Sequence, residues 1–108
     1  MPAKLERIKD EPLRQSLAEA HTQLRTGDYA AVVRRAADAY VELLRRKPEM
    51  LQGAMSMRSI MFFPRLGARL IVDNDGAPTV VYDRQRFIFS EAVTYFEFAV
   101  DSLVREGL

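Results

Sequence analysis

Apolar residues recur along the first half of the chain at helical spacing. Leu13, Leu17, Ala20 and Leu24 follow one another at intervals of four, three and four, the period of one helix face. Asp10 precedes them as an N-cap and Pro12 stands where a missing N–H costs little, so the pattern predicts a helix over about 11–25. Gly27 supplies a left-handed stop, and Asp28 caps the next run. There Tyr29, Val32, Val33, Ala36, Tyr40, Leu43 and Leu44 form a broad apolar face, while Arg34, Asp38, Glu42 and Arg46 step along the opposite one. This second helix is predicted over 28–47 and ends before Pro48, which disfavours helical geometry at Lys47. The two helices form an antiparallel pair.

A short third helix is predicted over 49–57, in a stretch rich in methionine. Met50, Met55, Met57 and Met61 are followed by Phe62 and Phe63. Methionine fills irregular gaps and also suits adaptable binding surfaces. After Pro64 and Gly67 the period changes to that of strands. Ala68 to Val72 and Thr79 to Tyr82 flank Asp73-Asn74-Asp75-Gly76-Ala77-Pro78, which predicts a β-hairpin over about 68–82. The last helix, over about 90–106, has Ser90 as its expected N-cap. Val93, Phe96, Val100 and Leu103 make its core face, and Tyr95 and Phe98 widen the apolar arc. A helix this apolar is central or covered on two sides, and Tyr95 and Phe98 are its candidate interface. The whole reads as one mostly α domain over 1–108, a small helical bundle carrying one β-hairpin.

Composition narrows the chemistry. The chain of 108 residues has no cysteine, which excludes disulfides, thiolate metal sites and a cysteine nucleophile. No stretch approaches the ~18 uninterrupted apolar residues of a membrane span, and the charged N-terminus lacks a leader pattern; the expectation is a cytoplasmic protein away from membranes. Sixteen cations face fifteen anions. Residues 1–50 carry +2 and the remainder −1, a balance that argues against a nucleic-acid partner.

The five glycines never cluster, so no phosphate loop is expected. Asp73, Asn74 and Asp75 are spaced like the start of a calcium loop, but Arg84 occupies the twelfth position where a bidentate acid belongs. The stretch reads as a turn; neither metal nor cofactor is predicted.

His21 is the single histidine and lies seven residues after Arg14, hence on the same helix face two turns away. With Gln15 following the arginine, this resembles the Arg-x(4–6)-His motif of the HEPN family, although here the motif falls early in the chain. The resemblance implies a small helical bundle that cleaves RNA from a dimer interface, with Arg14 and His21 as the catalytic pair. A longer stretch, Ala18 to Pro48, resembles a tetratricopeptide hairpin: Gly27-Asp28-Tyr29 at the turn, Ala39 in the second helix and a proline after it. It departs from that motif at Ser16, Glu19 and Gln23, and no second copy follows. That resemblance implies peptide or protein binding.

With no stronger catalytic pattern, the leading expectation is a non-catalytic interaction module, a homodimer. It would use Met50, Met55, Met57, Met61, Phe62 and Phe63 with Tyr95 and Phe98. A HEPN-like ribonuclease, or an inactive relative, is the alternative.

Overall fold

The structure, a computed structural model, describes residues 3–57 and 67–108, without the side chains of 54–57. Four α-helices and one two-stranded antiparallel sheet follow a short 3-10 turn at Ala3–Arg7. The helices are α1 (Glu11–Thr26), α2 (Tyr29–Arg46), α3 (Glu49–Met57) and α4 (Phe89–Arg105); the strands are β1 (Ala68–Val72) and β2 (Pro78–Tyr82). This is the mostly α bundle with a hairpin that the apolar periods predict.

Local chemistry sets the boundaries. Asp10 accepts from the Leu13 N–H at 3.0 Å and opens α1. Gly27, at φ 90°, closes it: the Gly27 and Asp28 amides both donate to the Gln23 carbonyl, which satisfies an otherwise orphaned acceptor. Asp28 then accepts from Ala31 N–H at 3.4 Å and starts α2, so the link between the helices is two residues long. So short a link turns α2 back along α1.

Helix α2 is the hub. It packs most extensively on α4, then on α1, and also meets β2 and α3. Ala36, Ala37 and Ala39 are buried among Val32, Val33, Leu43 and Leu44; small residues let the neighbouring helices approach closely. Burying each large aliphatic side chain stabilises the fold by about 1.5–3 kcal/mol.

Three features differ from the expected pattern. Leu5 and Ile8, outside every expected helix, are fully buried. Leu5 lies in the 3-10 turn and Ile8 directly after it; the turn rests on α1 and α4, and this segment is held by Lys4 Nζ to Asp101 Oδ1 at 2.8 Å and by Arg14 Nη1 to the Ile8 carbonyl at 2.9 Å. Second, α4 begins at Phe89, and its N-cap is Ile88 rather than Ser90. Glu91 Oε1 accepts from the Ile88 N–H at 3.0 Å, the glutamate half of a capping box, while Ile88 itself offers no side-chain acceptor to the first turn. Third, the spaced charges of α2, read as a polar outer face, reach partners on other elements. Arg34 lies 4.5 Å over the Tyr82 ring and Arg46 binds Asp10, and among the described residues no ion pair joins Arg34 to Asp38 or Glu42 to Arg46. Tertiary partners outcompete i,i+4 pairs worth only about 0.2–0.5 kcal/mol.

The hairpin pairs Ala68 with Tyr82 and Val72 with Pro78. The Asp73 side chain accepts from Asp75 N–H and Ala77 N–H, both at 2.9 Å, so the acid-rich tip is spent on its own turn.

Candidate functional site

Arg14 and His21 share α1 but line different clefts. Arg14 borders a shallow cleft with Glu6, Gln15 and Ala18, and its guanidinium is engaged by the Ile8 carbonyl. His21 borders a second cleft, its ring 5.9 Å from that of Phe96 and tilted by 38°. Two helical turns separate the residues by about 10 Å along the axis.

The second cleft is the larger. It is a groove of about 580 Å³ between the 3-10 turn, α1 and α4. Leu24, Val93, Phe96 and Val100 form its apolar floor, and His21, Glu97, Asp101 and Lys4 stand around it. Burial lowers the His21 pKa from its ordinary value, with nearby positive charge, including Arg25, acting in the same direction. The neutral imidazole, which offers one donor and one acceptor, is therefore favoured.

A different feature stands where α4 begins. Ile88 and Phe89 are 62% and 54% exposed; with Val72 they are the large hydrophobic side chains left exposed among the described residues. The Phe89 ring meets Tyr29, at the start of α2, edge-on at 5.8 Å. Beside them Arg84 and Glu91 form an ion pair, and the Arg84 guanidinium lies 5.2 Å over the Phe87 ring. Glu91 is held below the ordinary carboxylate range, first by its hydrogen bond from Arg84. Sequence periodicity assigned no role to Ile88 and Phe89. The signal was present as two adjacent large apolar residues immediately before the helical period of α4, where no core face could take them both.

The expected interface residues fall into three groups. Tyr95 belongs to the core and not to a surface. It is fully buried, edge-on to Phe87 at 6.2 Å, with its phenol oxygen bonded to the Ala68 backbone. Its place on α4 is covered because the hairpin closes over the arc that the sequence left open. Phe98 is half-buried against Tyr40, with ring centres 5.1 Å apart, and Met50 is half-buried against the core. Met55 and Met57 lie in α3, but their side chains, like residues Met61, Phe62 and Phe63, are outside the described residues.

The polar departures from the tetratricopeptide pattern have a tertiary explanation. Arg35 of α2 donates from Nε to Gln23 Oε1 at 3.0 Å and from Nη1 to Ser16 Oγ at 3.2 Å, so two of those positions receive a cation across the helix pair. Among the described residues no group of three or more His, Asp or Glu converges, and no helix is long and apolar enough to cross a membrane. No protein-family model, curated protein or solved structure matches the chain.

Proposed function

We propose that the chain is a non-catalytic interaction module that self-associates through the patch formed by Ile88, Phe89 and Tyr29. The exposure of two adjacent large apolar side chains carries this reading. Each is a little over half exposed and so forgoes about 1–2 kcal/mol of burial that a partner surface could recover. A second copy of the chain suits the patch because opposite charges flank it. Asp28 adjoins Tyr29, and the exposed Arg86 lies two residues before Ile88. A two-fold arrangement would set the acid of one protomer against the base of the other. Arg86 suits such pairing through its planar fork of donors.

The absence of cysteine makes a clean test available. Ile88→Cys and Phe89→Cys, oxidised at micromolar concentration, should give a covalent dimer with at least one of the two. Asn74→Cys at the exposed hairpin tip should not. Equal, slight cross-linking by all three variants would refute self-association through this patch.

A further inference from the structure

We propose that the groove between the 3-10 turn, α1 and α4 is a binding site for a small hydrophobic amine, its body on the apolar floor and its ammonium at Glu97. The groove is distinct from the contact proposed for Ile88 and Phe89, although Val93, four residues after Phe89, brings the two close.

Its size and lining fit a small ligand. About 580 Å³ lies within the range of roughly 300–1,000 Å³ typical of such sites. Leu24, Val93, Phe96 and Val100 provide the apolar contact, and the tilted ring pair of His21 and Phe96 forms a wall against which a flat group can lie.

The charge at the groove selects the ligand's sign. Glu97 and Asp101 are four apart on α4, so both carboxylates stand on one side of the groove. Lys4 is the cation among the lining residues, and its ammonium is committed to Asp101 Oδ1 at 2.8 Å. Glu97 is exposed and has no ion pair or hydrogen bond among the described residues. A neutral His21 adds an acceptor without adding a repelling charge. Among the lining residues one carboxylate, Glu97, therefore stands without an ion-pair partner beside an apolar floor. A cation with an apolar body satisfies both, whereas an anion of the same shape meets repulsion.

Phenethylamine and the near-isosteric 3-phenylpropionate test this directly, by chemical-shift titration of the full chain. The amine should shift His21, Phe96 and Val100 saturably, and the carboxylate should bind several-fold more weakly. Glu97→Gln, at an exposed position, should keep the fold and weaken the amine about three- to fivefold, the effect of losing one solvent-exposed ion pair. Glu97→Lys should weaken it further. Ile88→Asp should leave amine binding unchanged, which separates this site from the self-association contact. Equal affinity for the two probes, unchanged affinity in Glu97→Gln, or amine affinity that falls as protein concentration rises because a second copy fills the groove would each overturn the proposal.

Discussion

Arg46 Nη1 lies 2.6 Å from Asp10 Oδ2 and so joins the last residue of α2 to the N-cap of α1. The same aspartate accepts from Leu13 through its other oxygen, and its own N–H donates to the carbonyl of Leu108. One residue thus fixes the start of one helix, the end of another and the C-terminal residue. Asp10→Ala should lower the melting temperature by about 5 °C, as loss of an N-cap does in a domain of this size. Arg46→Ala should cost less, and the coupling in a double-mutant cycle should shrink when salt is added. Thermal denaturation of the three variants at low and high ionic strength measures both.

Acid should unfold the protein partly through Asp10 and Glu91. The Arg46 hydrogen bond holds Asp10 below its ordinary pKa, and the Arg84 hydrogen bond does the same for Glu91. A carboxylate with a depressed folded pKa contributes stability above its unfolded value, about 4, and loses it as pH falls through the folded value. Stability should therefore be flat from these two groups above about pH 5 and decline below about pH 4. In Asp10→Asn and Glu91→Gln the acid slope of the melting temperature should be shallower than in the wild type. An identical slope in both variants would remove these carboxylates from the account.

At the alkaline end, Tyr82 and Tyr95 should resist ionisation. Burial pushes Tyr82 up to about 12, with the Asp38 carboxylate acting in the same direction; burial likewise raises Tyr95, with Glu91 next in effect. A raised phenol favours the neutral form in the folded state, so its contribution is complete below about pH 10 and disappears as pH rises through the folded value. Absorbance at the phenolate band should show at least two tyrosines unionised past about pH 11 until the protein unfolds. Substituting Tyr82 by Phe should remove one of them.

Glycine substitutions should separate a crowded position from an open one. Gly67 has φ +91°, and a Cβ there would lie 2.7 Å from Arg84 Nε and 2.9 Å from Phe87 Cε1. Gly67→Ala should destabilise by about 2 kcal/mol. Gly53 lies within α3 with nothing within 4 Å of an added Cβ, and Gly53→Ala should stabilise by about 0.5–1 kcal/mol. Urea denaturation of both variants gives the signs.

The helices and the hairpin were legible in the sequence because each has a period and end residues with one dominant use. Asp10, Gly27 and Asp28 act at the termini of α1 and α2 as their chemistry suggests. The 3-10 turn was not legible as core, since Leu5 and Ile8 make too short a repeat to reveal which surface they cover. Tyr95 illustrates the converse. Its position on the helix wheel is accurate, but no local pattern states that the hairpin will close over it. The pairing of Arg46 with Asp10 and of Arg35 with Ser16 and Gln23 joins residues distant in sequence, where composition alone suggested only solvated charge. Ile88 and Phe89 escaped for a related reason: an exposed apolar side chain becomes conspicuous only after the core has been assigned.

Sedimentation equilibrium of the wild type beside Phe89→Glu tests the central proposal most directly. The protomer is 12.4 kDa, and the wild type should approach twice that mass as concentration rises through the micromolar range, while Phe89→Glu should stay at the protomer mass with an unchanged melting temperature. A wild type that remains at protomer mass up to millimolar concentration, or a Phe89→Glu variant that associates as the wild type does, would contradict it.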